Sequence, residues 1–131
     1  YRAASCPKGE VHPVACALHK ELKLPIEGLR SKSWDEFAAP GAPELDFVFT
    51  VCDNAAGEVC PIWRGKPVTA HWGLPDPAAV EGLDANRKDA FRNTLITLES
   101  RIRIFLSLPI ASLDRMKLQA SLREIGKAPA L

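Results

Sequence analysis

Asp46-Phe-Val-Phe-Thr-Val-Cys52-Asp-Asn-Ala-Ala-Gly-Glu-Val-Cys60-Pro61, followed by Val68-Thr-Ala-His71-Trp72-Gly73-Leu-Pro-Asp76-Pro77, is the stretch that decides the fold. Short β-branched and aromatic runs bounded by turn residues read as buried parallel strands. The spacing predicts strands over 47–51 and 68–72. In open α/β sheets the loops leaving the carboxyl ends of such strands form the ligand crevice. Cys52, Cys60 and Asp76 all follow apolar runs, so two thiols and one carboxylate are placed where chemistry is expected.

Working outward, His12-Pro13 opens a helix with proline at its first position, where the missing N–H costs nothing. Val14, Ala17, Leu18 and Leu22 form its apolar stripe, and Leu24-Pro25 ends it. Tyr1–Ala4 reads as the end of a strand, and the 26–32 connection has room for a short one. Ser33-Trp34-Asp35-Glu36 matches a capping box and predicts a brief helix from Trp34. Asp53 or Asn54 is placed to cap a helical turn running toward Cys60. Asp84 is expected to cap the longest helix, roughly 85–108, with Phe91, Leu95, Leu98, Ile102, Phe105 and Leu106 as its buried stripe. A last helix starts near Ser112 or Leu113 and ends with Gly126 as its C′ residue. Strands alternating with amphipathic helices imply a parallel α/β sheet in one domain spanning residues 1–131.

Composition excludes several function classes. The 131 residues are 47% hydrophobic, enough for a core, and 17 Lys plus Arg against 16 Asp plus Glu leave no basic footprint for nucleic acid. No apolar run approaches the roughly 20 residues of a membrane span. The sequence opens on Tyr1 and its one methionine is Met116, so either a cleaved leader or an upstream part of the same domain is expected. Four cysteines in a chain this long fit reduced thiols in the cytoplasm better than a disulfide-stapled secreted domain.

Cys52 and Cys60 are the leading chemical pair. A thiol at a helix N-terminus has its thiolate favoured by the dipole and free N–H groups. Eight residues of regular helix span about 12 Å, whereas bridged Cα atoms lie within roughly 7 Å. A disulfide between the two therefore requires the segment to unwind, as a redox switch would. The competing reading makes both ordinary buried thiols. Asp76, before a proline in a strand-exit loop, is a candidate general acid. Its competing role is a turn residue accepting backbone N–H bonds. His71 and His12 read as capping or packing residues, and Cys6 and Cys16 as structural. Cys52, Cys60 and His71 lack the paired spacing of structural zinc sites, so no metal is expected. Neither a glycine-rich phosphate loop nor a Ser-His-Asp elbow is present. Six places beyond the cysteines stand His12, Leu22, Glu58 and Lys66, so the 131 residues hold no Cys-x5-Arg cradle.

Pro7-Lys-Gly-Glu-Val-His-Pro13, Gly28-Leu-Arg-Ser-Lys-Ser-Trp-Asp-Glu-Phe37, the 46–61 stretch and His71-Trp-Gly-Leu-Pro-Asp-Pro-Ala78 together resemble arsenate reductases of the low-molecular-weight tyrosine-phosphatase superfamily. The likeness runs through essentially the whole chain. It implies a three-layer α/β fold around a four-stranded parallel sheet. In that family a nucleophilic cysteine in a Cys-x5-Arg loop after the first strand attacks arsenate. By resemblance Asp76 is the general acid that protonates the leaving oxygen. Cys52 is the thiol that attacks the arseno-cysteine adduct and releases arsenite. Cys60 is the thiol that closes a disulfide on Cys52 and passes it to a thioredoxin- or glutaredoxin-type reductant, with no bound cofactor.

The family's first strand, nucleophile loop and first helix would precede Tyr1. That strand lies mid-sheet, and its loss leaves interior backbone groups unpaired at about 1–3 kcal/mol each. The expectation is a strand borrowed from a second copy in a swapped homodimer, a shorter rearranged sheet, or a longer molecule. These residues alone are not expected to turn over arsenate. Two other functions stay open: a non-catalytic dimerising remnant, and phosphomonoester hydrolysis, which has no use for Cys52 and Cys60.

Overall fold

Val68, Ala70 and Trp72 alternate with Thr69 and His71, and the alternation assigns each set to its own face of a strand. A computed structural model of the protein describes residues 1–52 and 60–127. Strand β1 (Phe47–Cys52) pairs in parallel with β2 (Val68–Leu74), and Phe47 lies opposite Val68. The first set of β2 is buried and the second exposed. Phe47 and Phe49 share the buried face, with the Phe49 ring centroid 4.0 Å from that of Trp72.

The sheet has two strands among the described residues, so the four-stranded layer implied by the resemblance is not seen there. β1 was expected to be a buried strand. It is instead half-buried along most of its length, as suits a strand with one paired edge. The predicted Tyr1–Ala4 strand reduces to a single parallel bridge between Ala4 and Ser33, held by Ala4 N–H to Lys32 O at 3.0 Å and Trp34 N–H to Ala4 O at 2.9 Å.

Helix α1 (Pro13–Glu21) begins as the sequence predicts, with His12 Nδ1 accepting the Val14 N–H at 3.1 Å. It buries Leu18 but leaves Leu22 exposed, so its apolar stripe ends a turn early. Ser33 Oγ accepts the Asp35 N–H at 3.2 Å, capping a single 3₁₀ turn, Trp34–Phe37. Glu36 does not return to Ser33 as a capping box would. Arg30 takes both its carboxylate oxygens at 2.8 and 2.9 Å and holds the carboxyl below its usual range. Helix α2 (Asp84–Ser107) has Leu83 rather than Asp84 at its N-cap. Glu21 of α1 pairs with Lys88 and Arg92 of α2, tying the two helices together.

The apolar stripe of α2 also departs from expectation toward its C-terminal end. The buried face of α2 carries Arg101, 7% exposed, with Ile104, Phe105 and Leu108 packed on the core. Phe91, Leu95, Leu98 and Phe105 of the predicted stripe are half-buried, but Ile102 and Leu106 are 46% and 71% exposed, so the stripe turns away from the predicted one only there. Helix α3 (Arg115–Lys127) starts after Asp114, whose Oδ1 accepts the Lys117 N–H at 2.9 Å. Leu118, Leu122 and Ile125 are its buried residues, and Leu122 and Ile125 join the sheet's core.

Gly126 is inside α3 rather than its C′ residue. A Cβ there would stand 2.8 Å from Trp72 Cδ1 and 3.0 Å from His71 O, so glycine serves close approach of helix to strand. Gly126→Ala gains about 1 kcal/mol of helix propensity, yet a rigid indole and a strand carbonyl oppose it. The expected net result is a loss of about 1–3 kcal/mol, read as a lower urea midpoint. A midpoint unchanged or raised would refute the close-approach account. No helix among the described residues is long and apolar enough to cross a membrane.

Candidate active site

The carboxyl ends of β1 and β2 open on a cavity of about 160 Å³. Cys52 enters it from the last position of β1, Leu74 from the end of β2, Asp76 from the following loop, and Thr94 and Leu98 from α2. A second cavity of about 220 Å³ shares Leu74, Asp76 and Thr94 and runs along α2 to Asn93 and Thr97. The parallel ladder slips here: Thr50 lies opposite His71, but Cys52 lies opposite Leu74. β2 thus advances three residues while β1 advances two. Bulges of this kind re-aim side chains beside functional sites, and here the slip turns the strand into the Pro75–Pro77 loop.

Asp76 is exposed, with an extended backbone (φ −71°, ψ 113°). Its Oδ1 accepts the Ala78 N–H at 2.9 Å and caps the 3₁₀ turn Pro77–Ala79. The turn-capping role and the cavity position therefore coexist. One carboxylate oxygen is held by the turn, and the residue still borders both cavities.

Cys52 is half-buried and free, and Cys60 is exposed and free. Cys52 and Asp76 are brought to one cavity, whereas Cys60 is not among its described lining residues. The helical turn expected from Asp53 or Asn54 lies outside the described residues. Cys6 and Cys16 are free thiols as well, so neither is bridged to Cys52. His12 caps α1 and packs against Phe91 with ring centroids 4.7 Å apart. His71 Nδ1 lies 2.7 Å from Thr50 Oγ1. Among the described residues no cluster of three His, Cys, Asp or Glu side chains forms a metal cage.

Arg101 is the residue near this site that sequence reasoning passed over. Its Nη1 donates to Trp72 O at 2.9 Å within the core. The available signal was a charge three residues after Leu98 and four before Phe105, on an otherwise apolar helix face.

Fold and site together define an α/β domain with a thiol and a carboxylate on one strand-exit cavity. Sequence comparison goes further. No family model matches the chain. It is 34% identical to the arsenate reductase of Halalkalibacterium halodurans over 72% of this chain and 66% of that protein. It is 37% identical to the arsenate reductase of Shouchella clausii over 46% of this chain and 42% of that protein. The arsenate reductase of Oceanobacillus iheyensis is 27% identical over 72% of this chain and 66% of its own length. All three of these similar proteins are named arsenate reductase, and the match spans just under two thirds of the length of the first of them.

Proposed function

We propose that this chain serves the reduction of arsenate to arsenite, supplying the general acid and the thiol relay. One observation carries the reading: Cys52 and Asp76 line the same cavity in a chain similar to proteins named arsenate reductase. The fold is that of the low-molecular-weight tyrosine-phosphatase superfamily, with a nucleophilic cysteine supplied from outside these 131 residues. That thiolate condenses with arsenate, and Asp76 gives its proton to the departing oxygen, which leaves as water. The Cys52 thiolate then attacks the sulfur bonded to arsenic. An S–S bond forms, the As–S bond breaks, and its electron pair stays on arsenic, which falls from As(V) to As(III) and leaves as arsenite. Cys60 attacks the Cys52 sulfur, forming the Cys52–Cys60 disulfide and freeing the nucleophile. A thioredoxin- or glutaredoxin-type dithiol in the cytoplasm returns two electrons and two protons to the pair.

The relay is testable on the chain by itself. Limited oxidation with one equivalent of diamide, followed by peptide mapping, is expected to give a Cys52–Cys60 disulfide that thioredoxin reopens. Recovery of pairs involving Cys6 or Cys16 instead, or of no disulfide, would remove Cys52 and Cys60 from this role.

A further inference from the structure

We infer that Arg101 is the positioning residue of this site: its buried guanidinium holds the strand slip that sets Cys52 opposite Leu74 and aims the loop carrying Asp76. The inference rests on the proposed role of Cys52 and Asp76. Val68 N–H bonds to Asp46 O just ahead of β1, while Thr69 O receives Gln119 Nε2 from α3 on the other side. By the two-residue alternation of a strand, the Trp72 carbonyl falls on the β1 side. Trp72 and Gly73 lie within the slip, between the pairs Thr50–His71 and Cys52–Leu74, where the regular ladder is interrupted. A buried carbonyl left there needs another donor, and Arg101 Nη1 provides it at 2.9 Å.

The choice of arginine is otherwise hard to explain. Among the described residues no carboxylate pairs with Arg101, and its buried Nε has no hydrogen-bond partner. Burying an unpaired guanidinium is costly, and leucine would continue the apolar stripe at no such cost. What leucine cannot do is reach across to the interrupted strand and donate. The lever is short: Leu98, one turn before Arg101 on α2, and Leu74, two residues after Trp72 on β2, both line the Cys52–Asp76 cavity.

Arg101→Met removes the donor while keeping much of the bulk, and Arg101→Lys keeps a donor. Amide hydrogen exchange over 73–76 and the iodoacetamide rate of Cys52 relative to the exposed Cys6 are measured on the full chain. Arg101→Met is expected to speed exchange over 73–76 by about tenfold or more through local opening and to change the Cys52:Cys6 ratio. Arg101→Lys is expected to restore both, with exchange around Leu18 unchanged throughout. Should circular dichroism show Arg101→Met unfolded, Arg101→Leu, which likewise lacks a donor, replaces it in the comparison with Arg101→Lys.

An unchanged 73–76 segment, or an equal rise at Leu18, would overturn the positioning role and leave the relay intact. Failure of the wild-type chain to form the Cys52–Cys60 disulfide would instead overturn the relay, and the inference with it.

Discussion

Trp72→Ala should cost about 3–5 kcal/mol of unfolding free energy, a large part of the roughly 5–15 kcal/mol that holds a typical domain together. The indole is 2% exposed and joins every layer of the core. Its ring stacks on Phe49 of β1 at 4.0 Å between centroids and meets Phe105 of α2 edge-on at 6.4 Å. Gly126 of α3 comes close against Cδ1, and Nε1 donates to Leu122 O at 2.9 Å. Alanine deletes both the packing and the donor, and three glycine- or ring-shaped surfaces fitted to an indole cannot collapse around a methyl group. The expected readout is a urea transition shifted far toward zero denaturant, or no cooperative transition at all. Trp72→Phe separates the two terms. It retains aromatic packing but loses the indole donor, an extra bond to a carbonyl already inside a helix, at about 0.5–1.5 kcal/mol. A Trp72→Ala midpoint close to wild type would show that the core described here does not hold the fold.

The same residue marks how far the sequence could be read. It lies in a short apolar run bounded by turn residues, the local signal that identified β1 and β2, while their parallel sense followed from strands alternating with helices. Pro13 and Ser33 fixed the starts of two segments for equally local reasons. The misreadings are all tertiary. Gly126 fits a helix C′ and a close helix–strand contact equally well, since both require only that no Cβ be present, and the position of Trp72 decides between them. Glu36 satisfies the capping-box spacing, but the Arg30 guanidinium offers a charged, bidentate partner that a single backbone N–H cannot match. Arg101 displaces Ile102 from the buried face because the ladder slip leaves a carbonyl to be bonded, and a slip in register leaves no trace in composition or period. The shared cavity of Cys52 and Asp76 was legible because both follow strands of one parallel pair, whose exits must lie at the same rim. Cys60 was read in the same way from its sequence, but residues 53–59 leading to it lie outside the described residues, and Cys60 is not among the described residues lining the cavity.

Asp76→Asn is expected to slow the arsenate-consuming step by about 10²–10⁴-fold, the span usual for a lost general acid. The measurement is single-turnover arsenite release by the chain supplied with a segment carrying the Cys-x5-Arg nucleophile. Asparagine is the informative substitution because the proposal adds a proton-donor role to the turn-capping role that Asp76 already has. The amide oxygen can still accept the Ala78 N–H that caps the Pro77–Ala79 turn, so the loop keeps its shape while the transferable proton is lost. Alanine removes the cap as well and mixes loop disorder with lost acidity. The proposed relay would need no proton from Asp76, since its steps are thiolate attacks on sulfur. Diamide oxidation of Asp76→Asn to the Cys52–Cys60 disulfide should therefore match wild type even as arsenite release collapses. If Asp76→Asn released arsenite at the wild-type rate while Asp76→Ala did not, the carboxylate would be a turn cap alone, and the acid would have to be sought elsewhere on the rim.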